Sequence, residues 1–123
     1  MANISFDILK GLVLTKIDGA EKDSDQISFH VEDGRTFCLD HNQDCCEQVY
    51  VEDVIGDVSD LIGNPILEAE EVDNFPEPDI DISADSYTWT FYKIGTIKGH
   101  VVIRWLGQSN GYYSERVDFY QVP

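Results

Sequence analysis

Apolar and polar residues alternate along much of this chain with a period of two, the pattern of strands that bury one face. In residues 26–32, Ile27, Phe29 and Val31 share a face. Asp33-Gly34 then supplies a tight hairpin turn, and residues 35–41 return with Phe37 and Leu39 inward. Residues 12–17 and 66–72 read as further strands, the second with an acidic outer face. Residues 48–54 carry β-branched and aromatic Val49-Tyr50-Val51, which favours a strand there too.

Helical signals are short. Phe6, Ile8 and Leu9 suggest one turn before Gly11. Residues 57–63 suggest one short helix, capped by Asp57, ended by a left-handed Gly63 and stopped by Asn64-Pro65. Residues 42–47 read as a polar loop or a single helical turn. Residues 73–85, with Pro76 and Pro78 among many acids, read as an exposed loop.

The last third has a different texture. Residues 87–94, 100–106 and 112–122 predict a three-stranded meander, turned at 95–99 and 107–111. On the middle strand Val101, Ile103 and Trp105 form the core face, and His100 and Arg104 point away from it. Symmetric closure of the second turn sets Leu106 opposite Tyr112, Arg104 opposite Ser114, Val102 opposite Arg116 and Trp105 opposite Tyr113. The expected fold class is therefore α+β, mainly antiparallel β sheet with one or two short helices, in a single domain spanning 1–123.

Composition supports a folded chain: 42% of its residues are hydrophobic and 11% aromatic. The net charge of −16 disfavours binding to DNA or to an anionic membrane. No apolar run reaches the roughly 20 residues of a membrane span. The start, Met1-Ala2-Asn3-Ile4-Ser5, lacks a signal-peptide pattern, so a cytoplasmic location is expected. Charge is unevenly spread. Residues 1–85 hold 22 acidic and 4 basic side chains, whereas residues 86–123 hold 2 acidic and 4 basic. An anionic ligand is therefore to be sought in the last third.

There the meander would collect His100, Arg104, Tyr112, Ser114 and Arg116 on one surface, with Asn110 at its end. A nucleotide needs such a set: an aromatic face for the base, guanidinium groups for phosphate, and amides or hydroxyls for ribose. Aromatic strands also simply pack cores, and arginines on a sheet also simply pair with acids such as Asp118, so a purely structural sheet is the plain alternative. No phosphate-binding glycine loop is present, and no triad, HExxH or nucleophile elbow.

Cys38, Cys45 and Cys46 make an odd count with one adjacent pair, which disfavours a disulfide framework; reduced thiols are expected. His41 with Cys45 and Cys46 fits no common zinc spacing, and as a nucleophile pair it has little support.

In several blocks the chain resembles the first type of phage anti-Thoeris proteins, sponges that sequester a signal. They are His41-Asn42-Gln43-Asp44-Cys45-Cys46-Glu47, Val51-Glu52-Asp53-Val54-Ile55-Gly56-Asp57, Thr88-Trp89-Thr90-Phe91-Tyr92-Lys93, Ile103-Arg104-Trp105 and Ser109-Asn110-Gly111-Tyr112-Tyr113-Ser114, spread over about residues 27–119. The resemblance implies a protein without a catalytic step that captures glycocyclic ADP-ribose intact. Some members also bind cyclic trinucleotides at a separate site. It further implies homodimers or hexamers with pockets formed between protomers, and no cofactor. Within these blocks and their flanks, Trp89, Phe91 and Tyr112 are the stacking candidates. Arg104 and Arg116 are the phosphate candidates, with Lys98 at the rim, and His100 and Asn110 are polar contacts. Two other readings remain: an acidic mimic of nucleic acid that blocks a basic host protein, motivated by the acidic run 68–85, and an assembly protein of a phage-like particle.

Overall fold

A computed structural model describes residues 3–73 and 77–123. Met1-Ala2 of the N-terminal reading and Pro76 of the loop reading lie outside the described residues. Eight strands follow in order: β1 (Leu14–Asp18), β2 (Gln26–Val31), β3 (Thr36–Asp40), β4 (Gln48–Ile55), β5 (Glu68–Val72), β6 (Ser86–Thr96), β7 (Gly99–Ser109) and β8 (Asp118–Val122). Two 3-10 turns, Phe6–Leu9 and Val58–Leu61, fall where the short helices were expected. The Asp57 side chain accepts from the Ser59 amide, and Gly63 is left-handed at φ +86°. Among the described residues no helix is long and apolar enough to cross a membrane.

The strands form two antiparallel sheets, ordered β1-β2-β3-β8 and β4-β7-β6-β5. The inward residues foreseen by alternation are the ones that bury. Ile27, Phe29, Phe37 and Leu39 of the first sheet join Val51, Val101, Ile103 and Trp105 of the second in one core. Phe6 bridges the sheets, with ring centroids 4.8 Å from Tyr92 and 5.1 Å from Phe119. Each such side chain, fully buried, contributes roughly 1.5–3 kcal/mol.

The predicted meander does not form. β6 and β7 make a long hairpin, but it turns at Ile97-Lys98, between the paired residues Thr96 and Gly99. Gly95 lies within β6, opposite His100. A Cβ there would sit 2.4 Å from the His100 ring, so this glycine admits a side chain from the next strand. Likewise β7 does not turn at Gly107. A Cβ there would meet the Glu115 carbonyl oxygen at 2.5 Å, so this glycine lets the following loop pack against the strand. The chain then crosses to the other sheet, where β8 pairs with β3 and Phe119 stacks on Phe37 at 5.7 Å. The side of β7 left vacant is taken by β4. Leu106 faces Tyr50, Arg104 faces Asp53, Val102 faces Ile55 and Trp105 faces Val51. These replace all four cross-strand pairs expected from symmetric closure.

Candidate functional site

The outer face of the second sheet carries the aromatic and cationic groups. Alternation on β6 sends Trp89 and Phe91 outward, their rings stacked with centroids 6.3 Å apart. β7 sets Leu106 opposite Trp89 and Arg104 opposite Phe91. The Arg104 guanidinium carbon lies 5.8 Å from the centroid of the Trp89 ring, within cation–π range.

Between Val51 and Asp53 the β4 register slips, so that Glu52 is an extra residue without a partner on β7. Through this bulge two consecutive acids reach one guanidinium. Arg104 Nε donates to Glu52 Oε2, and a terminal nitrogen lies 3.5 Å from Asp53 Oδ2. The Arg104 side chain is 17% exposed. Trp89 and Phe91 are 5% and 1% exposed, with Tyr50, Val72, Ile82 and Val102 packed against their cluster. The two rings expected to offer open stacking faces are therefore largely covered by the protein itself. Ile82 of the acidic loop is part of that cover, so the loop is not wholly a solvated excursion.

A cleft of about 810 Å³ opens where the N-terminal segment, β5, β6 and the entry to β8 converge. That volume suits a small organic ligand. Thr88, Trp89 and Thr90 form one wall, and Arg116 and Lys10 supply positive charge. Asp7, Glu68, Glu70, Glu71 and Asp73 line it too, so carboxylates outnumber cations in one protomer. Tyr92 fixes one of them by donating to Glu71 Oε1 at 2.6 Å. Burial and the Glu71 carboxylate push the Tyr92 hydroxyl far above the usual phenol range.

The eight candidate residues divide into groups. Trp89, Phe91 and Arg104 meet on the outer face, and Arg116 meets Trp89 at the cleft. Arg116 does not oppose Val102; its Nε lies 3.3 Å from Asp118 Oδ1. Lys98 and His100 sit at the far end of the β6–β7 hairpin, His100 with Nε2 4.0 Å from Glu68. His100 and Leu106 are six steps apart along the strand, about 20 Å at the rise of a β-strand. Asn110 and Tyr112 lie in the loop after β7. Asn110 Oδ1 accepts from the Tyr112 amide at 3.0 Å, and Tyr112 is 83% exposed, edge-on to Tyr113. The single surface expected to hold His100, Arg104, Tyr112, Ser114 and Arg116 is thus not formed, because residues 112–116 are not a strand beside β7.

Two arrangements lay beyond strand alternation. Glu115 is held at the strand ends by Thr88 Oγ1 at 2.7 Å and by Ser109 Oγ at 2.5 Å. Burial works to raise its carboxyl, but the hydroxyls of Ser109, Thr88 and Ser86 outweigh burial and hold it below the usual range. The second is a knot around Glu47. His41 Nε2 donates to Glu47 Oε2 and His41 Nδ1 to the Arg116 carbonyl, both at 2.7 Å. The Asp44 and Cys45 amides also donate to Glu47, at 2.9 and 2.8 Å. Chiefly through His41, and against burial, these donors depress the Glu47 carboxyl to about 2.

The tight loop around Glu47 joins Cys45 and Cys46 in a disulfide, contrary to the expectation of reduced thiols; Cys38 is free and buried. His41 is thus bonded to Glu47, and the two adjacent sulfurs are bonded to each other. Among the described residues no cluster of His, Cys, Asp or Glu is placed to hold a metal ion. The only local sign of the knot was an acid six residues after a histidine in a polar loop.

No curated protein and no solved structure matches this chain. A family model described as a domain of unknown function, DUF7448, matches residues 9–119. The matched span includes all eight candidate residues and runs from the first 3-10 turn into β8. The chain therefore belongs to the DUF7448 family.

Proposed function

We propose that this domain captures a cyclic nucleotide signal without transforming it, the signal being glycocyclic ADP-ribose, with cyclic trinucleotides as a second ligand at a separate site. It would act in the cytoplasm of an infected bacterium and block anti-phage defence. The observation that carries the reading is the cleft of about 810 Å³, walled by Thr88, Trp89 and Thr90, into which Arg116 and Lys10 bring positive charge. Thr88, Trp89, Thr90 and Arg116 fall in or near the sequence blocks that resemble the anti-Thoeris sponges.

A further feature supports it. The eight candidates also lie in separate groups on one protomer, so a second copy that brings Lys98 and His100 to another protomer's Trp89 and Arg116 would complete a pocket. A homodimer or hexamer follows from this reading.

Calorimetry with glycocyclic ADP-ribose, followed by heat release and mass spectrometry, tests it. Binding with recovery of the unchanged molecule is expected. Absence of binding overturns the reading, and recovery of a cleaved product makes the protein an enzyme instead. The second reading is an acidic mimic of nucleic acid. It is favoured by the exposure of Glu70, Glu71, Asp73, Glu77, Asp79 and Asp81 along β5 and the loop beyond it. Pull-down of a basic nucleic-acid-binding protein, lost at high salt, would support it.

A further inference from the structure

We propose that Cys45 and Cys46 are a reversible redox couple whose state reaches Arg116 in the cleft through Glu47 and His41. Both cysteines are exposed, whereas the Glu47 carboxylate beside them is fully buried. When oxidised, they close a ring that contains the Cys45–Cys46 peptide and holds the dihedrals on either side of it. That constraint sets the direction of the Cys45 amide. The amide donates to Glu47 Oε1 at 2.8 Å, and the Cys45 carbonyl accepts from the Gln43 side chain at 3.2 Å. With its other oxygen, Oε2, Glu47 accepts from the Asp44 amide and from His41. His41 in turn donates to the Arg116 carbonyl at 2.7 Å. A run of hydrogen bonds thus joins an exposed disulfide to the backbone of a cleft residue.

Arg116 is open to such control. It precedes β8 and lies in no strand; Ser114 Oγ accepts from its N–H, and His41 holds its carbonyl. From that backbone its side chain lines the cleft and reaches Asp118. A dithiol reductant supplies the chemistry. One of its thiolates attacks a sulfur of the pair and forms a mixed disulfide, which its second thiol then displaces. The reductant leaves as its own disulfide, and Cys45 and Cys46 keep the electrons and protons as two thiols. Oxidised glutathione runs the exchange backwards. In the reduced form the peptide between the cysteines regains its dihedral freedom. The Cys45 amide loses its fixed direction, the Glu47 carboxylate turns, and His41 follows it.

The test counts thiols and follows backbone amides. Alkylation with iodoacetamide in denaturant, read by mass spectrometry, should modify only Cys38 after oxidised glutathione and all three cysteines after dithiothreitol. In proton–nitrogen NMR spectra the Asp44, Cys45 and Val117 amides should shift together on reduction and return on reoxidation. Val117 is the reporter because its amide shares a peptide unit with the Arg116 carbonyl. In His41→Phe the Asp44 and Cys45 amides should still respond while Val117 stays in place. The double variant Cys45→Ser with Cys46→Ser should hold Val117 at the position of the reduced wild type in both media. Three alkylated cysteines in both media, or a Val117 amide that ignores reduction, overturns the proposal. A Val117 shift that persists in His41→Phe overturns it too, since the loop would then be loosening as a whole. Should His41→Phe not fold, the serine variant carries the test, and a Val117 amide that still moves with dithiothreitol there is the overturning result. No ligand enters these readouts, so their outcome is independent of the capture reading.

Discussion

At the scale of single residues, the important groups are charged and already partnered. Arg104 is held between Trp89, Glu52 and Asp53. Arg104→Ala removes the cation and leaves Glu52 half-buried without its partner. A loss of about 1–3 kcal/mol of stability in urea denaturation is expected, with a folded product. On the capture reading, calorimetry should also show affinity for glycocyclic ADP-ribose falling about tenfold or more. Glu47 makes a prediction in pH. Its carboxyl titrates at about 2 in the folded chain against an ordinary 4.5. A depressed carboxyl adds stability that is complete above the ordinary value and is lost as pH falls toward 2. The melting temperature of the wild type should therefore drop between pH 5 and pH 2. Glu47→Gln should begin lower and fall less steeply over that range.

At the scale of elements, two glycines decide how β6 and β7 are used. Gly95 receives the His100 ring, and Gly107 receives the loop that returns the chain to the first sheet. Gly107→Ala sets a methyl group against Glu115 backbone that cannot swing away. A cost of roughly 1–3 kcal/mol is expected by urea denaturation. The same substitution at Gly34 meets no atom within 4 Å but must take φ +98°. It should cost about 1–2 kcal/mol through backbone conformation alone. Both glycines of the hairpin read as turn residues in the sequence. Turn and close approach share a residue type, and only the neighbouring strand tells them apart.

At the scale of the molecule, the fold is two sheets closed over a core that Phe6 ties together. Phe6→Ala should lower stability by about 3–5 kcal/mol, measured by thermal or urea unfolding. Self-repulsion at a net charge of −16 works against compactness. Raising salt from low ionic strength to about 0.5 M shortens the screening length to a few ångströms. The melting temperature should rise by a few degrees, and a flat response would show that the acids are offset locally.

The sequence by itself determined what depends on near neighbours. It placed the β2–β3 hairpin, the inward faces of Ile27, Phe29, Phe37, Leu39, Ile103 and Trp105, the capped turn after Asp57, and the contrast in charge between the last third and the rest. Each follows from a period of two, a local hydrogen bond or a count. Only the tertiary structure decided which strand lies beside which. Residues 112–122 carry a strand-like pattern, yet Phe119 finds Phe37 in the other sheet, and β4 takes the place beside β7. That choice set Glu52 and Asp53 on Arg104 and pulled Arg116 away from it. A strand's own pattern fixes which face it buries. Its partner is fixed by the core that all strands fill together, and a one-residue bulge, invisible to alternation, is enough to change what an arginine can hold.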